Sequence, residues 1–236
     1  MSGLVKICGL SEPETLVAAL EAGADMIGLV FFERSPRHVD LERAADLAAR
    51  VRAFGPPRPE VVALTVNADD ATVSAIMERV RPDWLQLHGS ESPERCAELK
   101  ARFNVKVMKA LGISEPGDID RAAPYVGVAD RLLFDARPPK GSDIPGGNGV
   151  SFDWRLLAGL DLKVPLMLSG GLDAASVGLA LRTSGLRDVD VSSGVERERG
   201  VKDAGRIREF VAAARHAGRQ DMEHKAAGTA QKGRTG

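Results

Sequence analysis

A short β-rich run, a polar or glycine break and an amphipathic helix follow one another eight times along the chain. The runs are "LVKIC", "MIGLVF", "EVVALTV", "WLQLHG", "VKVMKAL", "RLLFD", "VPLMLSGG" and "DVDVSSG". Helices are predicted from Ser11 as N-cap, with Pro13 in the first turn and Glu14 in the capping-box position, and from about Leu41. Others follow over Asn67 to Val80, from Ser92-Pro93, from about Glu115, around Trp154, from about Asp173, and over Asp203 to about Arg215. Leu16, Ala19, Leu20 and Gly23 form the inner stripe of the first. This alternation predicts an α/β chain folded as a single (β/α)8 TIM barrel over residues 1–217. The alternative parallel architecture is an open doubly wound sheet. Against it, no GxGxxG follows the first run, and polar residues stand at the ends of many runs rather than at one switch point.

From Gly218 to residue 236 the sequence is polar and has no sustained apolar stripe; a disordered C-terminal tail is expected there. Net charge is −1, which offers no broad basic field to nucleic acid. No run of about eighteen apolar residues could cross a membrane. The N-terminus enters a strand without a basic leader and apolar signal core, and two cysteines do not make a disulfide framework. A cytoplasmic setting is therefore expected. Cys96 falls with Leu99 and Phe103 at helical spacing and reads as core packing. His38, His88, His216 and His224 are scattered, so no metal site is expected. No helix face carries a large apolar patch, and a monomer is expected.

In such a barrel the site lies where the C-terminal ends of the strands meet the following loops. That rule gathers Cys8, Arg37, His88, Asp135, Gly170, Gly171, Asp190, Ser192, Ser193 and Gly194 at one mouth. "LSGG" and "VSSG" combine glycines, which let backbone approach a ligand, with serine hydroxyls; they read as a phosphate corner or as two tight turns. Cys8 shares a strand face with Lys6. It is either a small buried hydrophobe or, with a cation nearby, a thiolate able to act as base or nucleophile. Asp135 follows three apolar residues. It is either a solvated loop carboxylate or a desolvated general acid. Arg37 could hold a carboxylate by a two-pronged hydrogen bond. His88 either lines the mouth or satisfies a core hydrogen bond. Asp190 either binds a substrate hydroxyl or pairs with a barrel lysine.

"KICG", "FFERSPRHV", "LQLHG", "LLFDA" with "GGNGVSFDW", "LSGGL", and "DVDVSSGVE" with "GVKD" together resemble the phosphoribosylanthranilate isomerase family, from Val5 to about Phe210. The resemblance implies a cofactor-free enzyme of tryptophan biosynthesis. Its reaction would turn N-(5-phosphoribosyl)anthranilate into 1-(2-carboxyphenylamino)-1-deoxyribulose 5-phosphate by an Amadori rearrangement. It makes Asp135 the general acid, Cys8 the general base and Arg37 the holder of the anthranilate carboxylate. It assigns the glycine and serine loops to the phosphate. One departure is "GGNG" in place of the family's usual GGTG, which puts a ligand contact from Asn148 in question. Another sugar-phosphate isomerase or epimerase, or a barrel that binds a phosphoribosyl ligand without catalysis, would share the phosphate corner. The former would usually need metal-binding histidines at strand ends, and the latter would have lost the acid or the base.

Overall fold

The computed structural model describes residues 3–139 and 141–232, with side chains as far as residue 220. The strands of the barrel are β1 (Val5–Cys8), β2 (Met26–Phe31), β3 (Glu60–Thr65), β4 (Trp84–Leu87), β5 (Lys106–Ile113), β6 (Arg131–Ala136), β7 (Leu166–Leu168) and β8 (Asp188–Val191). Each pairs in parallel with the next, and β8 closes on β1 with Lys6 opposite Asp190. A small antiparallel hairpin, β9 (Glu196–Glu198) and β10 (Val201–Lys202), follows the eighth strand. The helices are α1 (Pro13–Glu21), α2 (Leu41–Ala53), α3 (Asp70–Arg79), α4 (Pro93–Phe103), α5 (Gly117–Asp120), α6 (Val177–Ser184) and α7 (Ala204–Lys232).

Strand alternation sorts the apolar side chains into two cores. Ile7, Ile27, Val61, Leu85 and Phe134 point outward and pack beneath the helices with Leu16, Leu47 and Phe210. Each such fully buried side chain contributes about 1.5–3 kcal/mol by leaving water. Met26, Val62, Trp84, Met108, Leu133 and Met167 fill the lower barrel interior. Arg131 pairs with Asp188 in that lower part, and its guanidinium lies 5.8 Å from the centre of the Trp84 ring. The upper interior holds only Cys8, Val30 and Leu64 as a cluster, which leaves room above it.

The helical layer is less regular than the strand layer. The N-cap of α1 is Glu12 rather than Ser11, and its side chain makes no capping bond; Pro13, with no N–H to satisfy, starts the helix instead. The helix expected from Glu115 is the single turn α5 followed by a 3-10 turn, Ala123–Tyr125, because Pro116, Gly117 and Pro124 interrupt it. Around Trp154 there is only a 3-10 turn, Trp154–Leu157. α3 begins at Asp70 with Asp69 as its cap, and Asn67 lies before it at φ +50°. α6 begins at Val177; Asp173 and Ser176 first exchange hydrogen bonds in a turn of their own. The backbone of α7 continues past Gly218, where the tail is expected to begin, to Lys232; residues 233–236 of that tail lie outside the described residues. Ala217 is buried at the barrel's edge.

Candidate active site

The upper barrel opens into a pocket of about 690 Å³, its mouth included. Cys8, Arg37, His88, Asp135, Gly170, Gly171, Asp190, Ser192 and Ser193 all line it. Of the sequence candidates, Gly194 does not. It sits in the turn after β8, where an added Cβ would strike the carbonyl of Leu172, so its glycine serves the packing of the two loops.

Cys8 is the last residue of β1, and its side chain faces into the barrel as the alternation with Val5 and Ile7 requires. Space for the sulfur comes from β2: a Cβ on Gly28 would lie 2.9 Å from Cys8 Sγ. Below it, Lys6 Nζ donates to Asp190 Oδ1 at 2.7 Å, and Ser169 Oγ donates to Asp190 Oδ2 at 3.0 Å. Asp190 therefore lines the pocket with both oxygens engaged, the second of the two readings open to it. This pairing changes the expectation for the thiol. Burial pushes the Cys8 pKa up; Lys6 and Lys202 pull it down, Asp190 adds to the rise, and the net direction is upward. The upward direction makes Cys8 a neutral thiol at neutral pH, against the pull of Lys6 toward a thiolate. Lys6 itself is held above its ordinary value, burial opposing and Asp190 prevailing.

Asp135 stands on β6. Its Oδ1 accepts from the Ala136 amide at 2.8 Å, and its Oδ2 lies 3.4 Å from His88 Nε2. On the far side of the imidazole, Gln86 Nε2 is 3.2 Å from Nδ1. An amide N–H donating to Nδ1 leaves the proton of a neutral imidazole on Nε2, facing Asp135; that tautomer is assigned from the network. Gln86 Oε1 is buried with no partner among the described residues. The loop after β6 folds over this group. A Cβ on Gly146 would be 2.7 Å from the His88 ring and closer still to Asp135 Oδ2.

The glycine and serine loops after β7 and β8 meet at the pocket. Gly170 and Gly171 adopt φ of +88° and +63°, conformations that favour glycine. Among the described residues their amides donate to no protein acceptor, which leaves two N–H groups for an anion. Ser192 Oγ donates to the carbonyl of Cys8 at 3.2 Å and so ties this corner to β1.

Arg37, in the loop after β2, does hold a carboxylate with two prongs, but a carboxylate of the protein. Its Nε and Nη2 donate to Glu196 Oε1 and Oε2 at 2.6 and 2.9 Å, and Nη2 also reaches the carbonyl of Gly147 at 3.0 Å. Lys202 Nζ donates to Glu196 Oε1 at 2.7 Å and to the carbonyl of Ser192 at 2.8 Å. Burial works against the Glu196 carboxylate, yet Arg37 and Lys202 outweigh it and its pKa falls to about 2. Burial pulls Lys202 down to about 8, with Glu196 opposing. Gln86, Ser169, Glu196 and Lys202 were not among the sequence candidates. Gln86 carried a signal, a polar residue at an inward position of β4; Glu196 and Lys202 stand in "VSSGVE" and "GVKD", where spacing alone does not reveal a shared partner.

The apolar wall between Cys8 and the mouth consists of Val30, Phe32, Leu64, Val66 and Ile144. Asp135, Cys8 and the glycine and serine loops stand around it. No group of three or more His, Cys, Asp or Glu side chains among the described residues could hold a metal ion.

Comparisons with known proteins point to one family. Residues 5–213 match the family model described as N-(5'phosphoribosyl)anthranilate (PRA) isomerase. An N-(5'-phosphoribosyl)anthranilate isomerase of Afipia carboxidovorans is 59% identical over 217 residues, covering 92% of this chain and 91% of that protein. One from Brucella canis is 52% identical over 222 residues, covering 94% and 98%. The crystal structure of phosphoribosyl anthranilate isomerase from Thermotoga maritima superposes with a TM-score of 0.79 at 33% identity, covering 90% of this chain and 98% of that one. A phosphoribosyl anthranilate isomerase in complex with reduced 1-(o-carboxyphenylamino)-1-deoxyribulose 5-phosphate gives a TM-score of 0.76 at 32% identity, with the same coverage.

Proposed function

The chain belongs to the family of N-(5'-phosphoribosyl)anthranilate isomerases, enzymes of tryptophan biosynthesis, and on that premise we propose how its barrel mouth carries out the isomerisation. The substrate's phosphate binds at Gly170, Gly171, Ser192 and Ser193, with Gly194 holding the two loops together. Its anthranilate ring lies on the apolar wall, and its carboxylate meets Arg37. Asp135 enters this step in its acid form, Oδ2 accepting from His88 Nε2 and turning its own proton toward the substrate, and gives that proton to the ribose ring oxygen. The C1–O bond breaks as the nitrogen lone pair forms a C=N bond, leaving an iminium cation. Cys8, as thiolate, then removes the C2 proton, and the electron pair moves to C1=C2 while the iminium π electrons return to nitrogen. The resulting enolamine tautomerises to the ketone, which completes an Amadori rearrangement.

The thiol's raised pKa has a place in this course. A cation forming beside a buried thiol favours its thiolate; the thiol's own proton leaves to solvent through the open mouth, and the base is then present when C2–H is most acidic. His88 holds Asp135 from the side, and Asp190 balances Lys6 beneath the thiol. The chemistry belongs to the barrel as far as residue 217, with residues 218–236 outside it. The enzyme works in the cytoplasm as a monomer; among the described residues the exposed large apolar side chains, Val17, Phe54 and Leu179, lie at three separate elements.

The observation that carries this reading is that Cys8 from β1 and Asp135 from β6 line one pocket with the anion corner. The test starts from anthranilate and phosphoribosyl pyrophosphate, condensed by the preceding enzyme into the fluorescent substrate. Pure protein is expected to extinguish that fluorescence. Cys8→Ala or Asp135→Asn should each slow the decay by roughly 10²–10⁴-fold while the thermal midpoint stays in place. Undiminished decay in either variant removes that residue's role.

A further inference from the structure

Arg37, which lines the pocket, forms a buried charged trio with Glu196 and Lys202 behind it, and these two take no step in the reaction. Glu196 is only 5% exposed. Arg37 Nε and Lys202 Nζ share its Oε1, while Arg37 Nη2 and the Gly200 amide share its Oε2. The arginine stem is fixed as well. It crosses Gly9, the residue after Cys8, where a Cβ would lie 2.7 Å from Arg37 Cδ. Nη1 is the one guanidinium nitrogen without a protein acceptor among the described residues, and it faces Gly147 at the mouth.

We propose that Glu196 is a positioning residue for Arg37, holding the guanidinium by its Nε and Nη2 so that Nη1 is presented to the ligand's carboxylate. The proposal rests on the reading that Arg37 receives that carboxylate. A free arginine would have to give up its rotamer freedom on each binding event; a guanidinium already held by a fork does not. The arrangement would be self-defeating if Glu196 simply neutralised Arg37. Lys202 prevents that, since two cations around one carboxylate leave one positive charge facing the pocket. Through Lys202 the same carboxylate also reaches Ser192, which ties the carboxylate-holding end of the site to the phosphate corner.

Calorimetric titration with two probes tests this. One is the reduced product, 1-(o-carboxyphenylamino)-1-deoxyribulose 5-phosphate after reduction; the other is its phenylamino counterpart without the carboxyl group. The wild-type protein should prefer the first by about tenfold or more, a typical worth for a charge-assisted hydrogen bond. In Glu196→Gln the amide has one acceptor oxygen and turns an NH2 toward one of the donors, so the fork is broken. The preference should fall to within about twofold of none, with the second probe's affinity unchanged. Glu196→Asp, a methylene shorter, should reduce the preference as well, and it stands as the test should Glu196→Gln fail to fold. Equal weakening toward both probes would mean a merely structural role, and a larger preference would mean that Glu196 competes for the guanidinium; either result, or an unchanged preference, overturns the proposal. Arg37→Met separates the premise: if the preference survives there, Arg37 does not hold the carboxylate at all.

Discussion

Four influences meet at the Cys8 sulfur. Burial is the largest and raises the thiol's pKa, Lys6 and Lys202 lower it, and Asp190 raises it again. Lys6 pulls toward the thiolate, but burial is the larger influence, and Asp190 paired with Lys6 opposes that pull further. The expected outcome is measurable in Cys96→Ala protein, which removes the other thiol, itself pushed up to about 11 by burial. Ultraviolet thiolate absorbance from Cys8 should develop only above the ordinary thiol value of 9.0. A midpoint at or below that value would show that Lys6 prevails after all. Alternation in "VKIC" made it legible that Lys6 and Cys8 share the inward face. What spacing could not convey was the partner: Asp190 lies 184 residues away and meets Lys6 only when β8 closes on β1. The same holds for the Glu196 contact with Arg37, 159 residues away in the loop after β2, whereas Gly200 and Lys202 belong to its own hairpin.

Loops, more than helices, decide the site's shape. The loop after β6 was legible as rich in glycine and proline, and its position over Asp135 and His88 gives those glycines a purpose. Gly146 has no room for a side chain, because Asp135 Oδ2 and the His88 ring occupy the place of its Cβ. Asn148, the departure in "GGNG", braces the loop itself: Ser142 Oγ donates to its Oδ1 at 2.9 Å, and its Nδ2 donates to the carbonyl of Ile144 at 3.2 Å. Both ends of the Asn148 amide are therefore spent within the loop. Gly146→Ala should lift the loop from its seat and lower turnover by at least about tenfold, since small misplacement of catalytic groups is costly. The thermal midpoint should hardly move, because loops add little to global stability. Steady-state rates beside a thermal melt check this, and wild-type turnover would mean that the loop's seat is unimportant. After β5 and β6 the expected helices are one α turn and short 3-10 turns, for a physical reason. Segments broken by Pro116, Gly117, Pro124 and Gly159 are too short to show a full amphipathic period.

At the scale of the molecule the eightfold alternation was enough to predict a closed barrel, because parallel neighbours need crossovers and polar strand ends converge only on a mouth. The hairpin β9–β10 was not foreseen; it has strands of three and two residues and no room for a period. Yet it joins distant parts of the barrel, since Glu196 and Lys202 connect the loop after β2 with the seam between β8 and β1. That connection has a pH signature. Glu196 has a folded pKa of about 2 against an ordinary 4.5, so its contribution to stability is fully present above 4.5 and is lost as pH falls through about 2. The shift corresponds to about 3 kcal/mol undiminished, and to about 2 kcal/mol once solvent screening at the mouth is allowed for. Urea unfolding of wild-type and Glu196→Gln protein between pH 7 and the acid range isolates the effect, because the other carboxylates titrate in both. The wild-type advantage should be constant at neutral pH and shrink by that amount as acid protonates Glu196. An advantage that does not change across the window would show that this carboxylate is not held in its ionised form by Arg37 and Lys202, and the hairpin would then be an ornament of the barrel rather than one of its fastenings.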